Sequence, residues 1–334
     1  MKKTKGILFR FLALAVVSAL CVGAFAARRK SEGAIPQTDT ARGARDAATF
    51  LFLGTDRAVG LCDVIMLVRA DYTDGALTVL QIPRDTYAAY TDKSYKKLNG
   101  AYSALGGGEA VAAFLENAMS IEIDHYVCMG LDTLCKMVDV LGGIDIDVPC
   151  DMRYSDPEQG LYIDIKKGTN HLDGESAEKF VRYRASYTEG DIARLDAQKL
   201  FMAAFIEKAS ENASVTTVMK LCAAADGVET DLSFAELAEN GVKALKIDKS
   251  NVSMLTLPGA EATATQSGAS YYVLSAPATA EITERVFGRA DGFDKDRVFL
   301  NTVYKSFCDI YATYAEYKAY SVCNTEEIDI KAKR

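Results

Sequence analysis

Histidine is scarce in this chain, and its scarcity argues against several classes of enzyme. Only His125 and His171 occur in 334 residues. Ser–His–Asp and Cys–His mechanisms need a histidine beside a nucleophile, and neither histidine lies near a nucleophile-elbow motif. A zinc site is equally unsupported, because its usual histidine and cysteine clusters are missing. Candidate chemistry therefore has to be sought among carboxylates and arginines.

Nucleotide-binding and redox motifs are missing as well. The triplet Gly106-Gly107-Gly108 lacks the lysine and the spacing of a Walker A loop, and no Rossmann fingerprint occurs. Eight cysteines are present without a C-x-x-C pair. Several of them lie in apolar runs, as at residues 126–129, which predicts small core residues. A single disulfide bond, for example between Cys308 and Cys323, is the alternative, but no pattern in the sequence supports it.

Basic residues are outnumbered by acidic residues in most of the chain. The first 30 residues contain seven of the 38 Lys and Arg and none of the 46 acidic residues. The remainder has 31 basic against 46 acidic residues, a net charge of about −15. Nucleic-acid binding needs a basic face, so no nucleic-acid partner is expected. Arginines that cluster in such an acidic segment indicate a dedicated anion pocket.

The N-terminal segment predicts a membrane anchor within residues 1–30. Three lysines in the first five residues precede an apolar run at 11–27, and Arg28-Arg29-Lys30 follows. This run is near the short limit for a transmembrane helix. The alternative is a signal peptide cleaved after Ala24-Phe25-Ala26, but the basic residues that follow favour an uncleaved anchor. Both alternatives place residues 31–334 outside the cytoplasm, and the anchor predicts a single-pass protein of the cell membrane.

Beyond a polar linker at 31–47, strands alternate with helices. Apolar periodicity predicts strands at 50–54, 64–70, 77–82, 125–129, 144–148, 252–257 and 271–274, and helices at 109–119, 131–141, 175–183, 192–209, 215–225, 233–246 and 278–287. Asp74-Gly75 predicts the turn between the second and third strands. This order predicts an α/β fold with three α/β/α layers and a central mixed sheet. Residues 261–334 are expected to form a C-terminal extension packed on a domain at 48–260.

The segment Pro83-Arg84-Asp85-Thr86 ends a strand abruptly. Proline removes the next ladder donor, so an arginine and a carboxylate are presented together at the strand end. Open α/β sheets bind ligands at such ends. A second pair, Asp56-Arg57, follows the strand predicted at 50–54. These pairs indicate an anion site.

Further arginines lie between residues 182 and 194. Arg182 and Arg184 end one predicted helix, and Asp191 begins the next, whose N-terminus offers free N–H groups. Arg194 and Gln198 are four residues apart and therefore share a helix face. Several guanidinium groups are what a pyrophosphate site requires. Surface salt bridges are the alternative explanation.

Carboxylates accompany these arginines. Asp56, Asp63 and Asp85 each begin or follow a predicted strand in the N-terminal part of the sheet. Aspartates that converge on one edge suit a hard cation such as Mg²⁺, with phosphate oxygens completing its coordination. Taken singly, each aspartate is also compatible with a turn or a helix cap.

Seven short motifs follow one another between residues 48 and 210. They are Phe52-Leu53-Gly54-Thr55-Asp56-Arg57, Cys62-Asp63-Val64-Ile65-Met66-Leu67, Ile82-Pro83-Arg84-Asp85-Thr86, Lys97-Leu98-Asn99-Gly100-Ala101-Tyr102, Val140-Leu141-Gly142-Gly143-Ile144, Gly168-x-x-His171-Leu172-Asp173-Gly174, and Arg182-x-Arg184 followed by Gly190-Asp191-x-x-Arg194. In this order they resemble the successive motifs of the LytR–CpsA–Psr family. The stretch after residue 260 is much less diagnostic.

The resemblance implies a membrane-anchored, extracytoplasmic catalytic domain at 48–260. Members of the family transfer glycopolymers from a polyprenyl-pyrophosphate carrier to peptidoglycan, typically with Mg²⁺, for which Mn²⁺ can substitute. By resemblance, Asp56 and Asp63 would hold the metal, and Arg84, Asp85, Asp191 and Arg194 would be catalytic. Arg57, Arg182, Arg184, Gln198 and Asn99 would bind the substrate. Asp85 and Asp191 are alternative acceptors for the proton of the attacking hydroxyl.

An apolar tunnel for the lipid is also implied, with Val111, Leu115 and Met119 as possible lining or ordinary core. Leu61 and Ala197 stand where the family usually has arginine, and Gly100 replaces a commonly larger residue. Two missing guanidiniums would weaken a phosphate clamp by ~1.5–3 kcal/mol each. The alternatives are therefore a lipid-pyrophosphate hydrolase and a non-catalytic scaffold that binds pyrophosphate lipids.

Overall fold

The computed structural model describes residues 46–56, 60–90, 96–158, 160–188, 191–211, 214–225, 227–265, 267–288, 307–308 and 320–331. The predicted anchor and almost all of the linker lie outside these ranges. Within the ranges, no helix has the length and apolar character needed to span a bilayer.

The strands and helices follow the predicted alternation. The strands are β1 (Ala47–Asp56), β2 (Leu61–Asp71), β3 (Ala76–Gln81), β4 (His125–Met129), β5 (Ile144–Val148), β6 (Met152–Asp156), β7 (Leu161–Ile165), β8 (Gly168–Leu172), β9 (Glu229–Thr230), β10 (Val252–Thr256), β11 (Gly259–Ala264), β12 (Ser270–Leu274), β13 (Phe307–Cys308) and β14 (Tyr320–Ser321). The helices are α1 (Ala101–Leu105), α2 (Gly108–Met119), α3 (Leu131–Val140), α4 (Gly174–Arg182), α5 (Asp191–Glu211), α6 (Val215–Ala224), α7 (Phe234–Ala244) and α8 (Ala276–Phe287).

A seven-stranded sheet forms the centre, in the order β14-β10-β3-β2-β1-β4-β9. β1 is antiparallel to β2 and parallel to β4, while β3 is antiparallel to β2 and parallel to β10. The mixed sheet is therefore confirmed. The turn predicted at Asp74-Gly75 joins β2 to β3, where Asp74 N–H donates to Asp71 Oδ1 at 2.9 Å and Gly75 has a φ of +62°. Glycine adopts this left-handed conformation without a steric cost.

Helices cover both faces of the sheet. Side chains alternate along β1, so Phe50 and Phe52 pack under α3 to α7, on what we call the α5 face. Leu51 and Leu53 pack under α1, α2 and α8, on the α2 face. Val111, Leu115 and Met119 of α2 are also buried there. The buried apolar residues of the central strands thus divide between two separate hydrophobic clusters.

Short, polar elements escaped the sequence prediction. The pairs β5–β8 and β6–β7 form two-stranded ribbons outside the main sheet. β5 alternates between buried and exposed residues, as predicted, but three consecutive residues of β6, 153–155, are exposed. A strand with so little burial has no apolar alternation to identify it.

Candidate functional site

The predicted segment Pro83-Arg84-Asp85-Thr86 forms a turn at the end of β3. Thr86 N–H donates to Pro83 O at 3.0 Å, and Asn99 N–H donates to Arg84 O at 2.9 Å. Tyr272 N–H of β12 donates to Asp85 O, also at 2.9 Å. Three parts of the chain thus hold the turn's backbone, which fixes where its side chains begin.

Arg84 lies among three carboxylates. Its Nη1 is 2.6 Å from Asp63 Oδ1, its Nη2 is 3.3 Å from Asp191 Oδ1, and its Nε is 3.7 Å from Asp85 Oδ1. Burial acts to lower the pKa of Arg84, but attraction to Asp191 and the hydrogen bond to Asp63 outweigh it and raise the pKa. Asp85 also contacts Lys97, with Nζ 2.8 Å from Oδ2.

Arg194 is the most deeply buried cation of this cluster and is 5% exposed. Burial lowers its pKa, and attraction to Asp191 offsets this effect only in part. Arg194 Nη2 lies 2.9 Å from Asp191 Oδ1. Nevertheless, neither Nη2 nor Nε makes a hydrogen bond among the described residues, and Gln198 Oε1, one helical turn further along α5, also lacks one. Unsatisfied buried donors are costly and therefore indicate a place for a ligand.

A cavity of about 160 Å³ begins at these side chains. Asp63, Arg182, Arg194 and Gln198 contribute its charged and polar lining. Its apolar lining comes from β1 to β4, α3, α4 and α5, and includes Phe52, Met66, Val79, Met129, Leu134, Met137, Val181, Phe201, Met202, Phe205 and Ile206. From Arg194 to Ile206 the α5 axis rises by about 18 Å. The cavity is therefore apolar along its length and cationic at one end.

The structure brings some of the other predicted site residues to this cluster. Arg182 lines the cavity and pairs with Glu178 at 2.9 Å. Arg184 is exposed, but it lies close enough to help lower the pKa of Arg194. Asn99 is buried and holds the turn through its backbone. Arg57 and the side chain of Asp56 lie outside the described residues.

Of the two alternatives for Val111, Leu115 and Met119, tunnel lining or ordinary core, the structure shows ordinary core. Val111, Leu115 and Met119 are buried on the α2 face, whereas the cavity lies on the α5 face. Both faces of the sheet are apolar, so helical periodicity alone could not distinguish them. The two residues that stand where the family usually has arginine do not line the cavity either: Leu61 pairs with Asp56 where β1 meets β2, and Ala197 is fully buried.

Two residues next to the site were missed by the sequence analysis. Lys97 belonged to a recognised motif, but its contact with Asp85 depends on the folded chain. Gln81 is fully buried, and its Nε2 donates to Leu195 O at 3.2 Å, while its Oε1 accepts from Thr256 Oγ1 at 3.0 Å. Gln81 therefore ties β3 to α5 beside Arg194. The only sign of this role in the sequence was a glutamine at the end of a mostly apolar strand.

The carboxylates present suit a divalent cation that shares its ligands with a phosphate. No group of three His, Cys, Asp or Glu able to hold a metal occurs in the described part of the chain. Magnesium, however, is usually bound by one or two carboxylates together with substrate phosphates. Asp63 lines the cavity at its charged end and has a half-exposed side chain. The donor set thus fits Mg²⁺ if a phosphate supplies further oxygens.

Comparisons with known proteins agree with this geometry. Over 198 residues the chain is 34% identical to the polyisoprenyl-teichoic acid–peptidoglycan teichoic acid transferase TagV of Bacillus subtilis, an alignment that covers 56% of this chain and 50% of TagV. It is 36% identical over 157 residues to the probable cell wall biosynthesis protein LcpB of Corynebacterium glutamicum, covering 47% of this chain and 36% of LcpB. The chain thus spans half or less of the length of these two curated relatives.

The fold is shared with solved structures. The crystal structure of B. subtilis TagV superimposes with a TM-score of 0.63 at 27% identity, covering 73% of this chain and 97% of that chain. The model of the LytR_cpsA_psr family matches residues 19–287, which include the whole cavity and every arginine that lines it. The chain belongs to the LytR_cpsA_psr family.

Proposed function

We propose that this chain is an extracytoplasmic phosphotransferase that moves a glycopolymer from a polyprenyl-pyrophosphate carrier onto peptidoglycan. The observation that carries the proposal is the cavity on the α5 face. Its long apolar part ends at Arg194, whose Nε and Nη2 make no hydrogen bond among the described residues. A ligand that satisfies both parts must have an anionic head and a long apolar tail.

The head is best explained as a pyrophosphate. Arg182 and Arg194 line the cavity, and Arg84 contacts Asp63 at its charged end. Guanidinium groups bind phosphate oxygens bidentately. Arg194 is buried, so water would not screen its attraction to an anion. The names of the relatives support a teichoic acid donor and a peptidoglycan acceptor, although both remain proposals for this chain. The predicted anchor would place the domain at the outer surface of the cell membrane.

In the transfer step, a sugar hydroxyl of peptidoglycan attacks the phosphorus that carries the glycopolymer. A new P–O bond forms, the bond to the bridging oxygen breaks, and lipid monophosphate leaves. Arg84 and Arg194 stabilise the charge that develops on the phosphate oxygens. A carboxylate accepts the hydroxyl proton, and Asp85 and Asp191 are the candidates. Mg²⁺ or Mn²⁺, held by Asp56 and Asp63 when bound, would supply further positive charge at the phosphates.

The test uses the full chain in proteoliposomes with a labelled lipid-pyrophosphate saccharide and peptidoglycan, with Mg²⁺ and with a chelator. Label is expected in peptidoglycan, and Arg84→Ala should abolish its transfer. Arg153→Ala provides a matched control, because Arg153 is an exposed arginine on β6, outside the cavity lining. Comparing Asp85→Asn with Asp191→Asn identifies the proton acceptor as the variant with the lower kcat.

Two outcomes would contradict the proposal. Labelled saccharide phosphate released into solution, with none in peptidoglycan, would show a lipid-pyrophosphate hydrolase, in which water replaces the hydroxyl. Binding without turnover would show a scaffold that holds the lipid. If that binding were unaffected by Arg84→Ala, the proposed site itself would be wrong.

A further inference from the structure

Residues 320–331, which we call the strap, lie beyond the part of the chain that the family model matches. That match ends at residue 287. In the strap, β14 pairs antiparallel with β10 at the edge of the central sheet, and a 3₁₀ helix at Val322–Glu327 follows it. The 3₁₀ helix packs on α5. The strap therefore joins the edge of the sheet to the helix that carries Arg194.

Apolar and cation–π contacts fix the strap to the rest of the domain. Ile328 and Ile330 are buried in the hydrophobic cluster of the α5 face. The ring centre of Tyr320 lies 5.2 Å from Nζ of Lys199, a residue of α5 that is 2% exposed. Lys199 Nζ also contacts Asp196 Oδ1 at 2.6 Å, and neither of these two residues lines the cavity. The strap thus covers a side of α5 that the cavity does not use.

Lys331, the last residue of the strap, contacts the loop that joins α4 to α5. Its carbonyl oxygen accepts two hydrogen bonds from Thr188, one from the backbone N–H at 2.9 Å and one from Oγ1 at 3.0 Å. Thr188 lies four residues after Arg184 and three residues before Asp191. The strap therefore fixes the loop at a point between two residues of the proposed site.

The loop has a packed side and an exposed side. Tyr183 and Tyr187 are buried, and their rings meet edge to face with centroids 5.4 Å apart. Tyr187 N–H donates to Arg184 O at 3.2 Å, which closes a turn. By contrast, Arg184 and Thr188 are exposed. Tyrosine packing thus holds the inner side of the loop, whereas the strap holds Thr188 on its outer side.

We propose that the strap positions Arg184 for the pyrophosphate of the donor lipid by holding the loop at Thr188. Thr188 is then a positioning residue, which acts only through the backbone that it shares with Arg184. An arginine whose loop is already held loses less conformational entropy when it binds an anion. Affinity should therefore depend on the strap. The rate of transfer should not, because Arg84 and Arg194 lie on the turn after β3 and within α5. The inference rests on the proposed function, since it places a pyrophosphate beside Arg184.

Two substitutions at Thr188 in the full chain test this role. Thr188→Val keeps the size of the side chain but removes its donor to Lys331 O, whereas Thr188→Ser keeps the donor. Titration calorimetry with geranyl pyrophosphate, a soluble pyrophosphate with a short apolar tail, gives Kd, and the transfer assay gives kcat and KM. Thr188→Val should raise Kd and KM about two- to fivefold, because one hydrogen bond is lost while the backbone N–H still donates. The kcat should be unchanged, and Thr188→Ser should match the wild type.

Ile330→Ala loosens the strap itself, and Ile282→Ala is the matched control. Ile282 is fully buried on α8, in the hydrophobic cluster of the α2 face. Both variants should lower the free energy of unfolding, since each creates a void in apolar packing. Only Ile330→Ala should weaken binding of geranyl pyrophosphate, and by more than Thr188→Val does, because it disturbs both hydrogen bonds to Lys331 O. Backbone hydrogen exchange in residues 184–188 should also become faster in Ile330→Ala alone.

The outcomes separate this proposal from the proposed function. Unchanged binding in both Thr188→Val and Ile330→Ala would overturn the positioning role, while transfer by the wild type would leave the proposed function intact. Equal losses of affinity in Ile330→Ala and Ile282→Ala would also overturn it, because the strap would then act through general stability. Weaker binding in Thr188→Val and Ile330→Ala, with no transfer by the wild type, would support the positioning role and refute the proposed function.

Discussion

The two faces of the central sheet use the same strands for different purposes. On the α2 face, Leu51, Leu53 and Leu67 are fully buried among leucine, isoleucine and alanine side chains. On the α5 face, the neighbouring Phe52 and Met66 line a cavity that ends at arginines. Because successive strand residues point to opposite faces, one residue packs the core and the next lines the cavity.

The cavity face is built from a different kind of side chain. Four methionines, Met66, Met129, Met137 and Met202, line the cavity. Methionine is unbranched and polarizable, so these side chains would adapt to the lipid chain of the proposed donor. The α2 face lacks this requirement and can be packed with branched residues. Stability and binding should therefore respond in opposite ways to substitutions on the two faces.

The largest expected difference comes from truncating adjacent residues of β2. Leu67→Ala should lower the free energy of unfolding by about 3–4 kcal/mol, because it creates a void in a filled cluster. Met66→Ala should cost about half as much, since Met66 already borders the cavity and loses fewer contacts. Denaturant unfolding of both variants measures the difference. Equal losses would show that the two faces are packed alike.

Arg194→Met should separate binding from stability. Loss of charged hydrogen bonds worth ~1.5–3 kcal/mol should weaken binding of a lipid pyrophosphate by about 10- to 150-fold. The free energy of unfolding should fall little, because Nε and Nη2 of this buried arginine make no hydrogen bond among the described residues and Asp191, its ion-pair partner at 2.9 Å, keeps Arg84 at 3.3 Å. Titration calorimetry and denaturant unfolding provide the two measurements. Arg153→Met is the control, and a strong loss of stability in Arg194→Met would show a structural role instead.

Gln81→Leu should weaken binding of a lipid pyrophosphate, because Gln81 holds α5, and with it Arg194, in position. It removes the hydrogen bond from Gln81 Nε2 to Leu195 O, next to Arg194, and we expect about 3- to 10-fold weaker binding, or ~1 kcal/mol. Thr256→Val is the matched control, since it removes the partner of Gln81 Oε1 but leaves the bond to α5. Binding should be almost unchanged in that control. If both variants lose the same affinity, Gln81 acts through general stability.

The smallest effect is a pH dependence of stability at His125, which stacks on Phe50 at the far end of the cavity face. Burial acts to lower the pKa of His125, but its hydrogen bond to Asp231 at 3.1 Å and attraction to Asp231, Asp124 and Glu236 raise it above 6.5. Protonated His125 therefore stabilises the fold below about pH 6.5, and this contribution is lost as the pH rises through the folded-state pKa.

His125→Gln removes the titrating group and keeps a donor for Asp231. The wild type should exceed this variant in unfolding free energy at pH 6 by less than about 1 kcal/mol, and the difference should vanish above pH 8. Denaturant unfolding at several pH values measures it. A difference that grows with pH would contradict the assigned pKa direction.

Much of the fold was predictable from local pattern. β4 and β5 were predicted with the bounds they have, and α2 to α7 to within two residues at each end, because apolar residues repeat strongly in these segments. β6 to β8 were missed because short ribbons outside the sheet bury few side chains. The sequence could not decide whether Val111, Leu115 and Met119 line the tunnel or form ordinary core, because both faces of the sheet are apolar.

The site was predictable in its residue types and only partly in its contacts. Motif order identified Arg84, Asp85, Asp191 and Arg194, and the structure places all four in one cluster of ion pairs. Asp63, expected as a metal ligand, also contacts Arg84. The contact between Arg84 and Asp191, which joins the two halves of the cluster, links residues 107 positions apart in the chain. No local pattern encodes such a distance, so pairing could be inferred only from resemblance.

The sequence by itself determined the alternation of strands and helices, the strand that ends at Pro83, and the acidic charge that makes clustered arginines meaningful. These are local properties, set by side-chain periodicity, backbone geometry and charge. Tertiary structure decided which face holds the cavity, that Arg194 is buried with unsatisfied donors, and that Gln81 fixes α5 against β3. Those properties depend on how distant segments pack, because burial and hydrogen bonding exist only once the sheet and helices have come together.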